Sequence, residues 1–209
     1  LKIAFLTACM SLVMGMLASL ALVRLGRFRG KMSFAGMITA PLVMPEVITG
    51  LSLLLLFVAM EKSFGWPGGR GMLTIWIAHV TFSTAFVTVI LSSRLKEIDR
   101  SLEEAGMDLG ASPLKVFFVI TIPIITPALL AAWLLAFTLS LDDLVIASFV
   151  SGPGSTTLPM KVFSSVRLGI SPKINALASI IIALVSLGVL TAGWILRGWE
   201  RKKTLGIRQ

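Results

Sequence analysis

Four titratable side chains stand inside or at the margin of long apolar stretches: Glu46, His79, Asp142 and Asp143. An acid without a counter-charge in a low dielectric either takes up a proton or holds a cation. Glu46 lies about halfway along an apolar run, beside Pro41 and Pro45, which remove two backbone donors one turn apart. An acid beside a broken helix is suited to lining a cation path. The competing reading is an edge position or a pair with another subunit. Asp142 and Asp143 are neighbours, so on a helix they point about 100° apart and only one faces a given cavity. They fit either a substrate path or the end of a span. His79 has no acid within a turn, and it reads as a packed, hydrogen-bonded histidine rather than a proton relay.

Other chemistry finds little support. A membrane-embedded hydrolase needs a nucleophile with a base, or His and acid at metal spacing. The chain has one His and one Cys, with no clustered partners. It is therefore expected to have no catalytic residues, no metal and no cofactor of its own. Gly26, Gly30, Lys31 and Ser33 have three residues between the glycines where a phosphate loop needs four. Inverted repeats would favour a proton-coupled secondary transporter, and none is visible.

The elements that must hold these side chains follow from composition. The 209 residues are 56% hydrophobic and 14% charged, with a mean hydropathy of +0.94. Soluble domains carry about 25% charged residues. Five apolar segments are expected to span a bilayer as helices, at approximately 3–23, 32–60, 71–93, 123–150 and 174–196. The predicted fold is an all-α, polytopic transmembrane bundle forming a single domain over 1–209. The net charge of +9 is spread over short segments between the spans, which excludes a nucleic-acid face. Thirteen of the basic residues fall on one side and six on the other, so the richer side is expected to be cytoplasmic. The N-terminus is then outside and the C-terminus inside, which suits a chain lacking one preceding span. Trp194 and Trp199 are expected at the inner interface and Trp66 at the outer one.

Two segments between spans are expected to be ordered. In 100–122, Ser101 and Glu104 have capping-box spacing, and Glu103 and Glu104 sit in a first turn where carboxylates suit the dipole. Gly110 is a left-handed stop. The helix between carries Leu102, Ala105 and Leu109 on one face. Ser112 and Pro113 open another short helix. On the opposite side, 159–168 reads as a short amphipathic helix with Met160, Phe163 and Val166 on one face.

The run Glu104, Ala105, Gly106, three residues, Gly110, nine residues, Ile120, Thr121, Ile122, Pro123 resembles the cytoplasmic "EAA" loop of bacterial ABC importer permeases. Gly106 stands for the second Ala and Ile122 for Leu, with the spacing intact over 20 residues. The stretches 40–56 and 134–159 are similar to the spermidine/putrescine branch of that family, in particular its putrescine permeases. The resemblance covers essentially the whole chain. It implies a multi-pass subunit of the inner membrane that imports a polyamine, or else another small cation or solute. The implied partners are a second homologous permease subunit, two cytoplasmic ATPase subunits that bind the ATP, and a periplasmic substrate-binding protein. The helix at Ser101, Glu103, Glu104, Ala105 and Gly106, with Gly110, Ile120 and Pro123, would be the element that docks on the ATPase.

Overall fold

The computed structural model describes residues 1–167 throughout and single helical positions between 172 and 187. The expected span at 174–196, the two inner tryptophans and the C-terminal tail lie largely or wholly outside the described residues. Every described element is helical: α1 (Lys2–Val23), α2 (Lys31–Val43), α3 (Glu46–Phe64), α4 (Met72–Glu97), α5 (Arg100–Asp108), α6 (Pro113–Val116), a π-helical turn (Phe117–Thr121), α7 (Ile122–Asp142), α8 (Val145–Val150) and α9 (Leu158–Arg167). Among the described residues four helical stretches are long and apolar enough to cross a membrane: Lys2–Val23, Glu46–Phe64, Met72–Glu97 and Pro113–Asp142.

Residues 1–160 form one compact unit and 161–209 a second. In the first, α1 lies along α4 through small residues. Ala4, Ala8, Ser11 and Gly15 recur at three- and four-residue intervals and are buried. A side chain at Gly15 would sit 2.5 Å from Val87 Cγ1, so the two backbones are in close approach. Lipid tails are as apolar as leucine, so such helices associate by close packing rather than by expulsion of water. α7 completes a core of Val87, Leu91, Leu95, Ile125, Ala132 and Ala136. Trp133 stacks on Phe137 and donates its indole N–H to Cys9 Sγ at 3.4 Å.

A second cluster gathers Phe57, Ile75, Ala78, Phe82, Ile146 and Val150 around α8. The short α8 needs partners for its last carbonyls, and the first turn of α4 and the segment before it supply them. Thr74 donates to the Val150 carbonyl at 2.7 Å, and Arg70 to that of Phe149 at 3.5 Å. In the second unit, α9 includes Arg167 over the Phe163 ring at 5.8 Å.

Two expected spans are corrected. The run 32–60 is not one helix. Pro45 lacks an N–H and pushes Met44 to an extended conformation (φ −76°, ψ 136°), so α2 ends and α3 starts afresh at Glu46. The run 123–150 also divides. Its helix begins earlier, at Pro113, and runs unbroken to Asp142, so the Ser112–Pro113 helix is the base of the span and not a separate element. Extended backbone at Asp143 (φ −62°, ψ 125°) then separates α7 from α8.

Candidate functional site

At the break between α7 and α8, three elements converge on one carboxylate. Asp143 accepts from the backbone N–H groups of Ile146 at 3.3 Å and Ala147 at 2.7 Å, which caps α8. His79, from the middle of α4 and only 2% exposed, sets Nε2 3.1 Å from Asp143 Oδ2. Its Nδ1 lies 2.7 Å from Ser140 Oγ, in the last turn of α7. With the carboxylate ionised, Nε2–H donates to it and Nδ1 accepts from the serine hydroxyl. The network is then closed, and Asp143 has three donors around it. The reading of His79 as hydrogen-bonded holds. No acid lies within a turn of it in the sequence, and the one it meets comes from the break after α7, 64 residues on. Asp143 is equally not an uncompensated acid.

Asp142 differs from its neighbour. It is exposed, as is Glu46, and neither enters an ion pair among the described residues. Glu46 is not midway along a span: it is the first residue of α3, where a carboxylate suits the helix dipole. Gly50, one turn on, packs against Ile146 and Phe149 of α8. Arg70, beyond the far end of α3, reaches the last turn of α8, so α3 and α8 run in the same direction. Glu46 and Asp142 therefore both stand at the starting end of the α3–α8 contact.

The other group of expected residues surrounds α5. Its cap is Asp99, whose carboxylate accepts the Ser101 N–H at 3.0 Å. Ser101 is thus inside the first turn, and the expected Ser101–Glu104 capping box does not form. Asp99 reaches the vacant donors first because it precedes the helix by one residue with an extended backbone (φ −65°, ψ 125°). The Ser101 backbone N–H, helped by its hydroxyl, holds the Asp99 carboxyl below its ordinary value. The stop at Gly110 is present, with φ 84° in the left-handed region. Ser112 caps α6 through the Lys115 N–H at 3.4 Å.

Glu103 and Glu104 point different ways. Glu104 is exposed with Ser101, Leu102, Ala105 and Leu109 on the outer side of α5. Glu103 turns inward, and its Oε1 accepts from Arg24 Nη2 at 2.9 Å and from Thr121 Oγ1 at 2.9 Å. Gly106 is buried against the next helical segment. A methyl group there would meet Ile120 Cδ1 at 2.7 Å and Val116 Cγ2 at 3.2 Å, which accounts for glycine at this position. Thr121 closes the π-helical turn. Pro123 explains that turn: it has no N–H to donate and its ring crowds the carbonyl four residues back, so the backbone widens and Ile122 N–H bonds Phe117 instead. Pro123 itself is exposed and Ile120 half-buried.

Sequence reasoning missed Arg24, Asp99, Thr121 and Ser140 as partners. Arg24 counted there only as a loop charge. Asp99 could have been found, since Asp is as good a cap as Ser and directly precedes the helix.

Against known proteins, residues 11–204 match the family model described as "Binding-protein-dependent transport system inner membrane component". The chain is 63% identical over 209 residues to the putrescine transport system permease protein PotI of Escherichia coli strain K12, covering all of this chain and 74% of that one. It is 42% identical over 182 residues to the spermidine/putrescine transport system permease protein PotC of Haemophilus influenzae, covering 87% of this chain and 68% of that one. A chain in a crystal structure of an amino acid ABC transporter with histidines superposes with a TM-score of 0.60 at 20% identity, over 96% of this chain and 89% of that chain. That last likeness concerns the fold alone.

Proposed function

The chain belongs to the family of binding-protein-dependent transport system inner membrane components, and from that premise we propose that it forms half of the membrane path through which a polyamine, putrescine foremost, is imported. The observation that carries this reading is the 63% identity over the whole chain to a putrescine permease. The exposed carboxylates of Glu46 and Asp142 support it from the chemistry side. A diamine offers an ammonium at each end, and two separated acids, neither paired with a cation among the described residues, suit it. Asp143 is left to a structural task by its three donors.

The whole chain acts as one translocation domain with its C-terminus in the cytoplasm. A second, similar permease completes the path, and a periplasmic binding protein delivers the solute. Two cytoplasmic ATPases bind the ATP, and no nucleotide or metal is held by this chain. The ATPase meets the exposed side of α5 around Ser101, Glu104 and Ala105, with Leu102 and Leu109 supplying apolar contact.

The test is uptake by the reconstituted complex. Putrescine should be taken up and should raise ATP hydrolysis more than an equal concentration of a neutral amino acid. Glu46→Gln and Asp142→Asn keep size and remove charge. At least one should slow putrescine uptake about tenfold, as expected when one charge-assisted contact is lost, while the ATPases still copurify. Parent rates in both variants would sink the role of these acids. A complex stimulated only by amino acids would sink the substrate.

A further inference from the structure

The base of α1 and the start of α5 are tied at two points, in opposite senses. Arg24 follows the last residue of α1, and its guanidinium donates to Glu103 on α5 at 2.9 Å. Arg100, the first residue of α5, donates back to the carbonyl of Val23, the last residue of α1, at 3.1 Å. That carbonyl has no partner within its own helix, and a cation there also suits the negative end of the α1 dipole. Both side chains of the Arg24–Glu103 pair are 18% exposed, so water screens them little.

The same carboxylate oxygen carries the third connection, from Thr121 in the π-helical turn at the base of α7. Thr121 is 2% exposed. Gly106 adds a fourth by pressing α5 onto Val116 and Ile120. A cavity of about 460 Å³ lies alongside, lined by Leu20, Arg24, Arg100, Glu103, Glu104 and Thr121 among others. Arg24 Nε is buried there without a partner among the described residues. The strap is thus a charged link beside a partly open cleft, not a packed wedge.

We propose that Arg24, Glu103 and Thr121 form a strap that carries displacement of α5 into α1 and α7, making Arg24 a positioning residue for energy coupling. This rests on the reading of the chain as an ATP-driven permease. α5 is only nine residues long, and its outer side is exposed. A docked ATPase that shifts it must drag whatever is bonded to its inner side. That inner side is Glu103 and Gly106. The exposed Glu104 meets the ATPase, and the adjacent Glu103 meets the membrane helices.

The experiment uses the reconstituted complex with its ATPases and binding protein, and reads solute imported per ATP hydrolysed. Arg24→Gln and Glu103→Gln should each lower that ratio about tenfold, the size of effect expected when a poorly screened charged pair loses a partner. The exchange Arg24→Glu with Glu103→Arg should recover part of the ratio, which a merely space-filling role would not do. Should either single variant fail to assemble, Thr121→Val removes one bond to Glu103 and keeps the volume, and a smaller fall in the ratio is then expected. Ratios equal to the parent's in the assembled variants, or an exchange no better than the singles, overturn the strap. A parent complex in which transport is not driven by ATP overturns the underlying reading, and is seen before any variant is made.

Discussion

Two aspartates in this chain do the same backbone task in opposite surroundings. Asp99 caps α5 and is fully exposed to solvent; Asp143 caps α8 and has a side chain only 8% exposed. The exposed one uses a single backbone donor beside a serine. The buried one uses two backbone donors and recruits His79, which in turn leans on Ser140. Water can satisfy whatever a surface cap leaves undone, whereas a carboxylate in an apolar bundle must have its lone pairs met by protein. The choice of partner follows the same logic. At the half-buried strap between α1 and α5, Glu103 takes a permanent cation, Arg24. Inside the bundle Asp143 takes an imidazole, which can donate a hydrogen bond without carrying a full charge.

The largest expected effect comes from removing the buried cap. Asp143→Ala deprives the first turn of α8 of its acceptors and leaves His79 Nε2 without its partner. Breaking one side of a buried, hydrogen-bonded pair costs about 3 kcal/mol or more. Thermal unfolding in detergent should show it as a clear drop in midpoint, far beyond the change in Asp99→Ala. If the two substitutions cost the same, burial is not what separates these caps.

Next in size is His79. His79→Gln keeps a donor and an acceptor near Asp143 and Ser140, while His79→Phe keeps only volume. The Phe variant should lose about 1–3 kcal/mol more than the Gln variant, the cost of leaving buried polar groups unmet. Both values should be insensitive to added salt. The Arg24–Glu103 strap, also largely buried, should respond only weakly to salt. A His79→Phe protein as stable as His79→Gln would mean that the bond to Asp143 contributes nothing.

What the sequence made legible was local. The stop at Gly110 and the start at Ser112–Pro113 depend on residues within a turn of one another, and they form. The long apolar runs yield helices for the same reason, although Pro45 divides one of them and so moves Glu46 from mid-span to a helix start. What stayed hidden was contact at a distance. Arg24 and Glu103 are 79 residues apart, and His79 and Asp143 are 64 apart. Nothing in either segment announces its partner, because the pairing is set by how α1, α4 and α7 pack. The neighbours Asp142 and Asp143, and Glu103 and Glu104, look interchangeable in a sequence. One step around the α5 axis turns Glu103 inward and Glu104 outward, and the extended backbone after α7 turns Asp143 inward while Asp142 stays outside. Gly106 shows the converse: its departure from the expected alanine is seen in the sequence but explained only by Ile120 and Val116 above it.

The smallest effect expected belongs to the exposed cap. The Asp99 carboxyl is held below its ordinary value of 3.8 by the Ser101 backbone N–H and, secondarily, its hydroxyl. A group whose value is lowered in the folded chain contributes stability above its unfolded value and loses it as pH falls through the folded one. The cap is therefore complete at neutral pH and fades only below that ordinary value. Hydrogen exchange at the first turn of α5 is the suitable measure, since a frayed cap exposes those amides without unfolding the bundle. Protection at Ser101 and Leu102 should hold from neutral pH down to the ordinary carboxyl range and weaken below it. In Asp99→Asn that step should vanish, because the amide side chain accepts the same bond but does not titrate. A step that persisted in Asp99→Asn would mean that another group governs the first turn of α5, and the part given to this exposed cap would fall.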